Sequence, residues 1–282
     1  MPLVLPFASS PLNLFALLPF RLLPFSPLPL CVTLRAVDNP PPAVNSQRTI
    51  ITHAVLIGLT PLIPVPVVDD LAKSYFQRRM VRSLAAMRGR PLGAEDVETL
   101  AVDRGGGGCL AGCLGLVIVY PLKKIFRKVF FFLEWKRAVD LTSAAFHHGY
   151  LVDYVLADWD ALGAGARSTA EVRDAIDAVC REAPIKPLEG AVGATFRQSK
   201  NLLVAGARLL EGSFRRLGGR ADEQQVAQAV ESVEQEEERE IEGVVNRLQG
   251  SVNSIPQSHF DNLRAQLAAR LKQQSPTTPR PS

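Results

Sequence analysis

Apolar residues dominate residues 50–70, a stretch of about twenty positions that is nearly free of charge. That length approaches what a helix needs to span a bilayer. Three prolines interrupt the stretch, namely Pro61, Pro64 and Pro66. Each proline removes a backbone donor and clashes with the preceding helical turn. The pattern therefore predicts a short apolar helix to about Leu59, an extended proline passage, and a new helix capped by Asp69 or Asp70.

Helical periodicity resumes after Asp70 and ends at Gly89, a residue type that commonly closes a helix. Basic residues occupy the positions between the apolar ones, namely Lys73, Arg78, Arg79, Arg82 and Arg88. Two interpretations stay open: a basic amphipathic helix on an anionic membrane surface, or the solvated face of an ordinary helix. A short helix containing Val97 and Leu100 is predicted after the turn at residues 91–93.

A glycine-rich segment follows, and its apolar part, residues 109–121, is only thirteen residues long. This is short for a bilayer crossing. No Gly-Lys-Ser/Thr follows the glycines, so the segment lacks the residues of a phosphate-binding loop. Small residues recur at a spacing of four, Gly108 with Gly112 and Cys109 with Cys113. This spacing predicts close helix packing, inside a bilayer or in a tight soluble hairpin.

Basic and aromatic residues then alternate over residues 122–140. On a helix, the apolar positions form a face wider than one neighbouring helix covers. Aromatic residues bordered by cations are typical of a lipid interface. The predicted membrane-binding residues are Lys123, Lys124, Arg127, Lys128, Phe130, Phe131, Phe132 and Trp135. The four cations would meet anionic lipid heads, and the alternative is a core helix packed by its phenylalanines.

The flanks of both apolar stretches are strongly basic. Two separate crossings would place one basic flank on each side, whereas Lys and Arg concentrate on the cytoplasmic side. A re-entrant or interfacial hairpin that returns to one side removes the conflict. We therefore expect membrane association on the cytoplasmic side.

The residues best suited to chemistry are His147, His148, Asp153, Asp158 and Asp160. Adjacent helical histidines point about 100° apart and do not share one ion without distortion. Nothing resembles the His-Glu-x-x-His zinc motif. We favour a hydrogen-bonding role between helices, with a metal-dependent hydrolase that uses His147 and His148 as an alternative. His53 and His259 are isolated and receive no role.

Further helices are predicted towards the C terminus. Ser168 and Glu171 form a capping box for a helix that reaches about Glu182. One long helix is expected over residues 188–217, because Phe196, Leu203, Leu210 and Leu217 recur every seven residues. An acidic helical pair is expected over residues 218–273. Its first helix has Val226, Val230, Val233, Glu237, Ile241, Val244 and Leu248 at helical spacing, and its second has Phe260, Leu263, Leu267 and Leu271 on one side. The two stripes could be buried against each other in an antiparallel pair, or against another chain, either a partner or a second copy.

Residues 1–46 contain ten of the 21 prolines and no acidic residue before Asp38. This composition predicts a disordered leader rather than a signal peptide, and residues 274–282 a disordered tail. The four cysteines match neither a zinc site nor a disulfide framework, which favours a reducing compartment. A net charge of +4 is too small to indicate nucleic-acid binding.

Residues 58–70, GLTPLIPVPVVDD, precede a helix with Gln77 and Met80. Gly89, Leu92 and Glu95 follow. This pattern resembles the small helical domain of unknown function that accompanies some bacterial membrane-associated GTPases and also occurs in inner-membrane proteins. The resemblance covers about residues 50–155 and implies membrane association with an uncharacterised role. The lysine-phenylalanine helix and the acidic tail depart from that pattern, and without a GTPase domain no nucleotide chemistry is implied.

The sequence thus predicts an all-α bacterial protein with a leader over residues 1–46 and a membrane-associated helical domain over residues 47–217. That domain would contain the re-entrant or interfacial hairpin, and the C-terminal helical pair of residues 218–273 would follow it. The predicted role is non-enzymatic binding of anionic lipid at the bacterial inner membrane and of a partner through residues 222–273. No cofactor or metal is expected. A soluble helical scaffold is the principal alternative.

Overall fold

The regular elements are all helices in the parts of the chain that the computed structural model describes, residues 44–62, 68–102, 127–216 and 241–273. No strand occurs in those ranges. The predicted all-α class is therefore confirmed. All of these residues belong to one unit, Pro40–Ser282.

The helices of the described residues are numbered here in chain order. They are α1 (Val44–Leu59), α2 (Val68–Met87), α3 (Ala94–Ala101), α4 (Arg127–Ala157), α5 (Thr169–Glu182), α6 (Lys186–Gln198), α7 (Lys200–Arg216), α8 (residues 241–253) and α9 (Gln257–Gln273). Two 3-10 turns, Thr60–Leu62 and Ala164–Ala166, follow α1 and precede α5. The predicted helix ends at Leu59 and Glu182 are confirmed.

Local signals explain several of these ends. Gly89 has φ +65, a left-handed conformation that closes α2 and that other residue types rarely adopt. The Glu171 amide donates to Ser168 Oγ at 3.3 Å, and the Ser168 amide donates to Glu171 Oε2 at 2.9 Å. The predicted capping box of α5 is therefore confirmed. Because α2 already begins at Val68, Asp69 and Asp70 are its second and third residues and not its predicted cap.

The predicted single helix over residues 188–217 is wrong, because Ser199 interrupts it with φ −107 and ψ 17. Arg247 of α8 donates from Nη1 to the Gln198 carbonyl at 3.3 Å and to Ser199 Oγ at 3.1 Å. The arginine thus supplies a donor to a carbonyl that a continuous helix would satisfy internally. Since Arg247 lies far away in sequence, the heptad spacing contained no sign of the break.

The core is built around the contact between α1 and α4, which run antiparallel. Ser46 Oγ at the start of α1 donates to Asp153 Oδ2 near the end of α4 at 3.1 Å. Further along, Ile50 lies against Gly149, and Gly58 lies against Ala138 and Thr142. Glycine at positions 58 and 149 allows the two backbones to approach closely.

The C-terminal helices α8 and α9 contribute to the same hydrophobic core as α1 to α6. Their buried apolar side chains are Val244, Val245, Leu248, Val252, Ile255, Phe260, Leu263, Leu267 and Leu271. Of the residues predicted for the two apolar stripes, Ile241 is half-buried and residues 226–237 lie outside the described residues. The other predicted members are buried, namely Val244, Leu248, Phe260, Leu263, Leu267 and Leu271. Within the described residues, these stripes are therefore covered by helices of this chain.

Candidate functional site

Helix α4 changes character along its length. From Ala138 to Leu156 most of its side chains are buried in the core. Towards its beginning, the Leu133 side chain is 54% exposed, and Lys136 and Arg137 are exposed. A single continuous helix therefore leads from the core to a surface on which an apolar residue lies beside two cations.

Trp135 marks the border between these two parts of α4. Its ring centroid lies 5.9 Å from that of Phe196 on α6, with the ring planes at 68°. Such an edge-to-face pair is a favourable aromatic arrangement. Trp135 is half-buried, so this predicted membrane-binding residue packs partly against the core.

The remaining predicted site residues stand as follows. Arg127, Lys128, Phe130, Phe131 and Phe132 lie on the first turns of α4, and their side chains are outside the described residues. Lys123 and Lys124 precede α4 and are outside the described residues. The predicted packing residues Gly108, Cys109, Gly112 and Cys113 are also outside them. The hairpin predicted around these residues therefore stays a prediction.

The end of α1 lies beside α4 near the point where α4 becomes exposed. A Cβ atom on Gly58 would lie 2.9 Å from the Ala138 carbonyl oxygen and 1.8 Å from Thr142 Oγ1. The turn Thr60–Leu62 directly follows and contacts α4 as well. The end of α1 and the first part of α4, which lie far apart in sequence, thus meet at one end of the helical bundle.

His147, one of the two histidines predicted to bond between helices, does so through a partner that sequence reasoning missed. His147 Nε2 on α4 lies 3.1 Å from His259 Nε2 on α9, so one ring donates a hydrogen bond and the other accepts it. His147 is 1% exposed, and its Nδ1 has no hydrogen-bond partner among the described residues. Burial lowers the pKa of His147 to about 4, and burial also lowers the pKa of His259. Both rings are therefore neutral at pH 7.

Aromatic side chains surround this histidine pair at the seam between α4 and α9. The ring of Phe260 lies 5.1 Å from that of Tyr150 and 6.3 Å from that of Phe146, measured between centroids. The Arg264 guanidinium carbon lies 5.2 Å from the Tyr150 ring centroid, within cation–π range. The seam therefore holds α9 to α4 by apolar and aromatic packing, and the histidine pair adds a buried polar contact.

Asp153 and Asp160 pair with arginines and not with the histidines. Asp153 is buried and accepts two bonds from Arg88, from Nε at 2.8 Å and from Nη2 at 2.6 Å. The hydrogen bond to Asp153 raises the pKa of Arg88. Asp160 is exposed and pairs with Arg90. The carboxylates thus anchor the end of α2 to α4 and do not converge on His147.

Two findings limit the chemistry of this region. Within the ranges that the structure describes, no group of three His, Cys, Asp or Glu side chains has the geometry to hold a metal ion. His53 Nδ1 lies 2.8 Å from the Thr49 carbonyl oxygen, and burial lowers the pKa of His53 to about 4. His53 is thus held by the backbone of its own helix, and His147 and His259 are held by each other.

Across residues 44–62, 68–102, 127–216 and 241–273, no helix combines the length and the apolar character that a bilayer crossing requires.

No family model, no curated protein and no solved structure matches this chain. The resemblance of residues 50–155 to the helical domain of membrane-associated proteins therefore stays a prediction.

Proposed function

We propose that this chain is a non-enzymatic, membrane-associated helical protein of a bacterium that binds anionic lipid on the cytoplasmic side of the inner membrane. The binding residues are the cations Lys123, Lys124, Arg127 and Lys128 together with the aromatic residues Phe130, Phe131 and Phe132. Trp135 lies at the border of this surface, since it also packs on Phe196.

The observation that carries the proposal is the emergence of α4 from the core. Leu133 is one of two large hydrophobic residues that are exposed among the described residues, and it lies directly after the three phenylalanines. Apolar side chains exposed next to cations suit the boundary between lipid heads and acyl chains. The nearby end of α1 is buried in the core, with Leu59 only 1% exposed, so it supports the position of α4 and offers no apolar surface of its own.

Electrostatic attraction would supply the affinity for anionic lipid and make the binding reversible. Each lysine or arginine near an anionic membrane contributes about 1 kcal/mol, so four cations give about 4 kcal/mol before any ring is inserted. At 0.1 M ionic strength, salt largely screens the attraction between exposed charges that lie more than about 10 Å apart. We therefore expect binding that requires anionic lipid and weakens as salt is added.

The histidine geometry supports a role without catalysis. His147 is directed to His259 in a buried seam, and the nearby Asp153 is committed to Arg88. A general acid or base needs its proton within reach of a substrate. We therefore favour lipid binding over the alternative hydrolase built on His147 and His148.

The described C-terminal helices add no support for a partner helix as the binding partner. The apolar stripes of α8 and α9 are buried against helices of this chain. A protein partner or self-association through residues 222–273 stays a prediction.

Vesicle binding tests the proposal. The full chain is mixed with phosphatidylcholine vesicles with or without phosphatidylglycerol, and the bound fraction is measured by flotation at low and high salt. We expect binding only with the anionic lipid. Replacing Lys123, Lys124, Arg127 and Lys128 by Glu should abolish it.

A matched control reverses four exposed cations elsewhere, Arg82, Arg181, Lys186 and Lys272, and so changes the net charge by the same amount. This control should bind more strongly than the first variant. Equal loss in both would mean that only total charge matters. No binding of the unaltered chain would reject lipid binding and favour the soluble scaffold.

A further inference from the structure

The break between α6 and α7 lies next to the exposed part of α4. Helix α6 runs antiparallel to α4, since a Cβ atom on Gly193 would lie 3.9 Å from Val139 Cγ1 and the Phe196 ring contacts Trp135. Phe196 is buried, whereas Arg197 immediately after it is exposed. Helix α6 therefore ends where α4 leaves the core.

Exposed cations collect at this break. Arg197 is the penultimate residue of α6 and Lys200 is the first of α7, and both are exposed. On α4, Lys136 and Arg137 are exposed on the residues that follow Trp135. The acidic residues of the same part of α4, Glu134 and Asp140, are half-buried. The outward charge of these three helix segments is therefore positive.

Helix α7 continues from this break past the end of α1. A Cβ atom on Gly206 would lie 3.6 Å from Leu59 Cδ1, so the α6–α7 break and the end of α1 belong to the same end of the bundle. Helix α2 contacts the turn Thr60–Leu62 and carries the exposed Asp70 in its first turn. The cationic side of this end is thus the side of α4, α6 and α7.

We propose that Arg197 and Lys200 form a second contact with anionic lipid, so that the bundle docks on the membrane by this end. The inference rests on the proposed lipid binding by α4 and adds the residues that fix the orientation. A single amphipathic helix leaves the bundle free to rotate about it, whereas two separate cationic contacts do not. In this orientation the start of α1 and the histidine pair face away from the lipid.

Two double variants test this contact in the full chain. R197E/K200E removes the proposed contact at the end of α6, and R181E/K186E makes the same charge change near the opposite end of α6. Both pairs are exposed. With vesicles of phosphatidylcholine and phosphatidylglycerol, loss of two cationic contacts should weaken binding by about 30-fold or more. The control should change it by less than about threefold, as expected of charges beyond the screening length.

Hydrogen exchange of the unaltered chain provides an independent readout. Adding the same vesicles should slow amide exchange over residues 197–204 and leave residues 181–188 unchanged. This measurement needs no substitution, so it decides the matter even if R197E/K200E fails to fold. The fold of each variant is checked by its circular dichroism and melting temperature.

The outcomes separate the two proposals. If the unaltered chain does not bind these vesicles, both lipid binding and the end-on contact are rejected. If the α4 charge reversal abolishes binding while R197E/K200E matches R181E/K186E and exchange at residues 197–204 is unaffected, only the second contact is rejected. Selective loss in R197E/K200E together with slowed exchange supports end-on docking.

Discussion

His147 and His259 are 112 residues apart in sequence, yet their Nε2 atoms lie 3.1 Å apart across the seam between α4 and α9. The contact requires at least one unprotonated ring nitrogen as acceptor. It therefore links the packing of the C-terminal helix to the protonation of a buried side chain.

Stability should fall with acidity below pH 6.5. Burial lowers the pKa of His147 from 6.5 to about 4, so the unfolded chain binds the proton more readily than the folded chain. The contribution of neutral His147 to the free energy of unfolding is fully present above pH 6.5 and is lost as pH falls towards 4. This loss amounts to about 3 kcal/mol for His147 alone. Urea unfolding at a series of pH values measures this dependence.

The variant His147→Gln tests whether His147 causes this loss of stability at low pH. We expect a flatter decline of the unfolding free energy between pH 6.5 and 4.5, relative to each protein's own value at pH 7.5. Ser143→Ala is the control, because it removes another buried polar group of α4 that does not titrate in this range. An unchanged slope in His147→Gln would show that other groups cause the acid sensitivity.

Gly58→Ala should destabilise the protein strongly. The added Cβ would overlap Thr142 Oγ1 at 1.8 Å and crowd the Ala138 carbonyl oxygen at 2.9 Å, so α1 and α4 would have to move apart. Overpacking of this kind costs about 1–3 kcal/mol, and the roughly 1 kcal/mol that alanine gains over glycine in a helix offsets only part of that cost. Chemical denaturation measures the difference.

A control and a rescue accompany this substitution. Gly190→Ala on α6 meets no atom within 4 Å and should stabilise the chain by up to about 1 kcal/mol. Adding Thr142→Ala to Gly58→Ala should restore part of the lost stability. If Gly58→Ala behaves like Gly190→Ala, the close contact of α1 and α4 is wrong.

Asp153→Asn should cost about 3 kcal/mol, because it leaves the Arg88 guanidinium without its charged partner in a largely buried site. The Asp153 side chain is only 3% exposed, while that of Asp160 is 81% exposed in its pair with Arg90. Asp160→Asn is therefore the matched control and should change stability by less than about 1 kcal/mol. Equal effects in a denaturation experiment would contradict the buried position of Asp153.

Ser168→Ala should reduce stability by about 1 kcal/mol through loss of the α5 cap. Ser168 accepts from the Glu171 amide, and the Glu171 side chain returns a bond to the Ser168 amide. Ser254, which bonds to the Ser251 carbonyl in the connection between α8 and α9, offers a serine-to-alanine control that removes no cap of α5. A melting temperature of Ser168→Ala equal to that of the control would argue against the box.

Much of the local structure could be predicted from the sequence. Gly89 closes α2, Ser168 and Glu171 cap α5, and the apolar spacing of residues 260–271 identifies the buried side of α9. Each of these features depends on residues within one or two helical turns of each other, so the chain shows them directly. Of the candidate site, the hydrogen-bonding role of His147 between helices could be predicted, but its partner could not.

The sequence by itself determined the helical class, several helix ends and the basic-aromatic character of the segment leading into α4. Only the tertiary structure decided that Arg247 accompanies a break at Ser199, that His147 meets His259, and that Asp153 joins Arg88. It also brought the end of α1 against α4 through Gly58. The physical reason is distance along the chain: capping and periodicity act within a few residues, whereas these contacts form only when helices far apart in sequence pack together.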